Sequence, residues 1–209
     1  MYLPKHFEVS KNDTAALLRK GGFGHLITPA PDGSMETTSM PLLYDADRHS
    51  LVGHMSRPNP HWRYTAEAES VVIIPGFDAY VTPEYYPSKQ ETQKVVPTWN
   101  YQILSVYGQL RAHDDRDWLL DHVTKLTDNH ESGRPKPWKV TDAPEKFIAM
   151  QLKGIVGIEL SITRVVAKAK LNQNTTAEDR AGVIRGLEQG TLPERETAAH
   201  MVAIGLDNR

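Results

Sequence analysis

Hydrophobic positions in this chain alternate with polar ones in short runs, and turn residues separate the runs. The clearest run is 154–166, where Val156, Ile158, Leu160 and Ile162 alternate with Gly157, Glu159, Ser161 and Thr163. Further strands are expected over 23–28, 34–44, the first half of 51–62, 71–74, from 79 to 82, and over 101–112. PAPDG at 29–33 and DADRH at 45–49 are hairpin-like turns. Pro41 marks its strand as an edge or a bulge, and Pro75-Gly76 is expected to end the 71–74 strand.

Helical spacing appears elsewhere. Residues 13–20 have an acidic start, a basic end and a Gly21-Gly22 stop. A short helix is expected over 61–69, and a longer one over 114–131, where Trp118, Leu119, His122, Val123 and Leu126 share a face. Asp142-x-x-Glu145 has the form of a capping box, and Thr176-x-x-Asp179 opens another helix. Pro193 suits the first turn of a last helix ending near 206. The proline-rich stretch 83–96 is expected to be a long irregular excursion. About six or seven strands, with helices between and after them, favour a mainly β fold with α additions. A β-barrel with peripheral helices fits this order better than a doubly wound sheet.

The totals narrow the chemistry. The 209 residues, 39% hydrophobic and 24% charged, suit one domain with a helical appendage. A net charge of −2 provides no global attraction to nucleic acid or anionic membrane. The absence of cysteine excludes disulfides, thiolate metal sites and cysteine nucleophiles. The first residues, MYLPKHFEVSKND, lack an apolar core of the secretory kind, and the longest plain apolar run is 71–74, so a cytoplasmic protein is the default.

Four stretches carry candidate chemistry. In LVGHMSRPNPHW, 51–62, a strand runs into a proline-locked turn, and His54, Ser56, Arg57 and Asn59 supply donors within six residues. Such a set suits a phosphate or carboxylate, although an ordinary solvated turn accounts for the same residues. In VPTWNY, 96–101, Trp99 and Tyr101 offer flat surfaces for stacking and Asn100 can pair with a heterocycle edge. Core packing at period two explains them equally well. KAKLNQN, 168–174, can bind an anion or a polar ring edge, or simply close a strand. YVTPEYY, 80–86, gathers three tyrosines in a turn. No nucleophile elbow, Walker loop or dinucleotide fingerprint is present, and His122 and His130, two turns apart on one helix, make no metal site.

Taken in order, MYLPKHFE, FGHLIT, LVGHMSRPNPHW, AYVTPEYY, VVPTWNY, VYG, PW, IVGIE and KLNQN resemble the PaiB-like, FMN-binding negative transcriptional regulators over essentially the whole chain. The resemblance implies an FMN-binding split barrel, as in pyridoxamine-phosphate oxidases, over 1–172 with a C-terminal helical extension over 173–209. It implies a homodimer with flavin between the subunits. His54, Ser56, Arg57 and Asn59 would hold the FMN phosphate, and Thr38 would lie beside the flavin. Trp99, Asn100 and Tyr101 would line the ring pocket, and Lys170, Gln173 and Asn174 would complete it. Ser39 and Ser105 stand where the family often has histidine, and Asn172-Gln173-Asn174 where it usually has Ser-Gln-Asn.

A flavin-binding regulator is therefore the leading expectation. An FMN-dependent oxidoreductase is the alternative, with the cofactor carrying the chemistry. Direct DNA contact has little support from the residues: there is no evident helix-turn-helix, and only 164–185 leans basic.

Overall fold

The computed structural model describes residues 1–64 and 69–204. Six strands carry the architecture: β1 (Gly22–Pro29), β2 (Met35–Asp45), β3 (Ser50–Ser56), β4 (Ser70–Val81), β5 (Thr98–His113) and β6 (Ile155–Lys170). Six helices accompany them: α1 (Lys11–Lys20), α2 (Ser88–Thr92), α3 (Arg116–Glu131), α4 (Glu145–Lys153), α5 (Ala177–Glu188) and α6 (Leu192–Ile204). None of the described helices is long and apolar enough to cross a membrane.

The chain forms two compact units. The first contains residues 1–14, 75–104 and 166–209; the second contains 15–74 and 105–165. The strands close into a barrel in the order β1-β2-β3-β6-β5-β4; the second unit contains β1, β2 and β3 whole, with β4 up to Ile74, β5 from Ser105 and β6 up to Val165. Its core includes Leu26, Leu42, Leu51, Val72, Val106 and Leu160, all 2% exposed or less. The first unit has its own core, built on Val81, Leu171, Val183, Leu187 and Met201.

The seam between β2 and β3 is split. β1 pairs with β2 along the whole of β1, from Pro29↔Met35 to Gly22↔Leu42. β2 pairs with β3 only at Leu43, Tyr44 and Asp45. β3 pairs with β6 along its whole length, from Ser50↔Ser161 to Ser56↔Ile155, so beyond Val52 only that edge stays paired. The β2 and β3 strands therefore part, and a fork opens between them. Pro41 lies in the forked part of β2, where a missing donor breaks no ladder with β3.

Several sequence expectations change. Pro75-Gly76 does not end a strand: β4 runs through both, and the two are exposed in succession between buried Ile74 and Phe77. The side-chain alternation slips by one residue there, which lets a proline pass without ending the strand. β5 begins at Thr98, so Trp99 and Asn100 lie within a strand. Asp142 does not open α4. Pro144 fixes an extended entry at that helix's start, and the Asp142 carboxylate instead accepts from the Lys139 N–H at 2.9 Å. The 83–96 excursion contains a 3₁₀ turn, Pro83–Tyr85, and the short α2. The helix expected over 61–69 is a 3₁₀ turn, Pro60–Arg63; residues 65–68 lie outside the described residues, as does the expected end of the last helix near 206.

Other elements follow their local chemistry. The Asp115 side chain accepts from the Trp118 N–H at 2.8 Å to start α3, and Thr176 caps α5 in the same way at 3.1 Å. Gly21, at φ 59°, ends α1 in a left-handed conformation that its missing side chain permits. Gly157 and Glu159 alternate with the barrel core and would face solvent in an open sheet, yet both are buried. α3 covers that face: a Cβ on Gly157 would lie 2.1 Å from a ring carbon of Trp118.

Candidate functional site

The fork between β2 and β3 is a cleft of about 410 Å³, lined by Thr38, Ser39, Met40 and Pro41 on one side and His54, Met55 and Ser56 on the other. Asn59, Gly154 and Ile155 close its end. Four of the predicted residues, Thr38, His54, Ser56 and Asn59, thus share one concave surface. The reason is local. β3 ends at Ser56, the Asn59 N–H donates to Ser56 O at 2.9 Å, and that turn brings the chain back toward β2.

The turn is fixed by a hydrogen-bonded triad. Asn59 Oδ1 accepts from the His61 N–H at 3.0 Å, capping the Pro60–Arg63 turn. This settles the amide's orientation, so Nδ2 donates to Thr38 Oγ1 at 3.0 Å. The same Oγ1 lies 2.8 Å from His61 Nδ1. His61 is wholly buried, and its Nε2 has no partner among the described residues. Burial lowers its pKa against a weaker opposite influence from Glu36. Sequence reasoning missed His61. Its place directly after the Asn59-Pro60 turn was the available signal.

Arg57 is held within the chain. Its Nε donates to Lys153 O at 2.7 Å and Nη2 to Ile155 O at 2.9 Å. Nη1 and Nη2 grip the two oxygens of Asp114. Four of the five guanidinium N–H groups are so engaged, and Arg57 does not line the cleft. The ion pair holds the Asp114 carboxyl below the usual range. Together with the Arg57 N–H bond to Gly154 O at 2.9 Å, this clasp ties the turn to the start of β6.

His54 faces α3. Its Nδ1 lies 3.1 Å from His122 Nε2, a hydrogen bond in which one ring must donate. His122 in turn stacks on Trp118 (centroids 5.4 Å apart), and Trp118 stacks on His113 at 4.3 Å with planes 2° apart. His113 Nε2 is 2.7 Å from buried Glu159. Burial lowers the pKa of His54. Burial, with His54 beside it, lowers that of His122 to about 4. Both are therefore neutral near pH 7, and no residue lining the cleft carries a formal charge there. Ser39 is 2.8 Å from His25 Nδ1 on the neighbouring strand. Ser105 is buried.

The remaining predicted residues belong to the first unit. In β5, Trp99 and Tyr101 share one face and Asn100 the other, as strand alternation requires. Trp99 is 52% exposed and meets Tyr80 edge-on at 5.9 Å. Tyr101 is half-buried beneath Lys168. Asn100 is wholly buried; its Nδ2 donates to Met201 Sδ at 3.4 Å, and its Oδ1 has no partner among the described residues. Lys170 donates to Thr98 Oγ1 and to Trp99 O, and burial lowers its pKa. Gln173 closes the end of β6, accepting from Leu171 N–H and donating to Ala169 O, both at 2.6 Å. Asn174 is exposed.

Comparison with known proteins agrees with this architecture. The model of a family described as "Putative FMN-binding domain" matches residues 1–164. The Bacillus subtilis protein named protease synthase and sporulation protein PAI 2 is 29% identical over 206 residues, 97% of this chain and 96% of that protein. An uncharacterized Saccharomyces cerevisiae protein is 31% identical over 169 residues, 70% of this chain and 100% of its own. Among solved structures, an FAD and heme binding protein from Mycobacterium smegmatis has a TM-score of 0.58 at 18% identity, covering 85% of this chain and 79% of that one. A flavocytochrome from Azotobacter vinelandii has a TM-score of 0.55 at 13% identity, covering 85% and 80%. These two likenesses speak for the fold alone. Matched over most of its length by the family model and by its Bacillus relative, the chain belongs to the PaiB-like FMN-binding domain family.

Proposed function

We propose that this protein is a regulatory flavoprotein that binds FMN in the cleft between β2 and β3. The observation that carries the reading is the convergence of Thr38, Ser39, His54, Ser56 and Asn59 on one cleft in a chain of this family. Its volume lies within the ordinary range for small-ligand sites. The Ser56 hydroxyl and the turn after it would hold the phosphate through neutral donors, with Arg57 keeping the turn in place from behind. For Trp99, Tyr101, Lys170, Gln173 and Asn174 the support is the family resemblance; Asn100, wholly buried against Met201, is left out of the proposed site. The same resemblance supports a homodimer with flavin at the subunit interface and a regulatory role in the cytoplasm. Bound FMN would supply two-electron redox chemistry; the chain's part is to bind and orient it.

Titration of purified protein with FMN and with riboflavin, followed by flavin fluorescence, tests the reading. FMN should bind at least about tenfold more tightly, the effect of one or two phosphate hydrogen bonds. Equal affinities would remove the phosphate from the cleft, and no binding of either would end the proposal.

A further inference from the structure

The cleft wall contains a hydroxyl, on Thr38, and an imidazole, on His54, whose hydrogen-bond polarity can be worked out from what lies behind them. Asn59 donates to Thr38 Oγ1 because its own oxygen is committed to the His61 N–H. His61 Nδ1 meets the same oxygen, while its Nε2 is buried with no partner among the described residues. The ring therefore has two choices. With the proton on Nε2, a buried N–H is orphaned. With the proton on Nδ1, the orphan is an under-used acceptor, which folded proteins tolerate more readily. The second tautomer makes His61 a donor to Thr38. Both acceptor positions of Thr38 Oγ1 are then filled from the protein side, and its O–H, with no acceptor of its own among the described residues, is left to the cleft that Thr38 lines.

The same logic applies to His54. His122 Nδ1 is buried without a partner among the described residues, and His122 Nε2 meets His54 Nδ1. A proton on His122 Nδ1 would be an orphaned donor, so the proton belongs on Nε2 and is given to His54. His54 then accepts at Nδ1 and carries its own proton on Nε2. His54, like Thr38, lines the cleft.

The geometry points to a cleft whose two inner polar groups are locked as donors by buried histidines, so that Thr38 and His54 accept only the acceptor atoms of a ligand, such as phosphate or carbonyl oxygens and unprotonated ring nitrogens. His61 and His122 are positioning residues that set this polarity. The inference rests on the proposed flavin site for its ligand, but the tautomers are properties of the protein alone.

Two measurements keep the two ideas apart. Long-range ¹⁵N–¹H spectra of the ligand-free wild type should show His61 protonated on Nδ1, and His54 and His122 on Nε2. A proton on Nε2 of His61, or on Nδ1 of His122, overturns the inference whatever binds. FMN titration of Thr38→Val, which keeps shape and removes the O–H, should show about a tenfold loss, with Thr38→Ser restoring affinity to within about threefold. Asn59→Asp exchanges a donor for an acceptor at Thr38, draws the hydroxyl away from the cleft, and should lose about as much as Thr38→Val. Wild-type affinity in Thr38→Val contradicts the donor role even where the tautomers hold. Failure of the wild type to bind FMN, with the tautomers as stated, ends the flavin reading and leaves the donor cleft standing.

Discussion

The turn after β3 and the start of β5 looked alike as sequence, each a proline beside a cluster of polar and aromatic residues, but they fold to opposite ends. In the first, the strand stops at Ser56, and Asn59 and His61 fold back onto Thr38 of the neighbouring strand. In the second, the strand continues, and alternation turns Asn100 into the core while Trp99 and Tyr101 face the other way. The polar residues converge on one cleft where the chain leaves the strand. Where it stays extended, half of them are turned away.

The convergence at the turn depends on α3 packed behind β3, and the strongest way to break it is acid. The free imidazole of His122 takes up a proton near pH 6.5 in the unfolded chain, but in the fold only near pH 4. Between those values the unfolded state binds more protons, so stability falls as pH drops through this window, by roughly 3 kcal/mol when complete. Urea unfolding midpoints across the range measure it, and His122→Gln should flatten the slope. Next in size, Gly157→Ala places a methyl group against the Trp118 ring. It should cost about 1–3 kcal/mol by overpacking, read as a lowered melting temperature.

A smaller pair of changes sharpens the contrast between the two stretches. Asn100→Ala removes a buried amide whose oxygen is already unpaired, and should cost about 1 kcal/mol of stability with FMN affinity nearly unchanged. Asn59→Ala should instead weaken FMN about tenfold, because it frees Thr38 to turn. Calorimetry and FMN titration on both variants give a crossed result if the contrast is sound. Least of all, Asp114→Asn breaks an ion pair whose carboxylate is 69% exposed, and should lower stability by less than about 1 kcal/mol in chemical denaturation.

The sequence carried the hairpin turns, β1, β3 and α3 well, since each had its period and its punctuation in the residues themselves. The β6 alternation was legible, but its buried outer face was not, because burial of Gly157 and Glu159 comes from α3 covering it. β4 was broken in two at Pro75-Gly76 because those residues usually stop a strand, and the one-residue slip that carries the chain past them has no local signature. In the site, the donors of the turn were visible as types. That Arg57 would be engaged by Asp114 and two carbonyls could not be read from spacing, since Asp114 is 57 residues away. His61 escaped notice, and His122 was read only as a helix-face residue, for the same reason: what makes them matter is a partner on a distant element.

Amide hydrogen exchange with and without FMN tests the central claim most directly. The account predicts that FMN slows exchange at the forked part of β2 around Thr38 to Met40, at His54 to Asn59, and at Gly154 and Ile155, the surfaces that line the cleft. FMN binding that leaves all three segments exchanging at their free rates would contradict it.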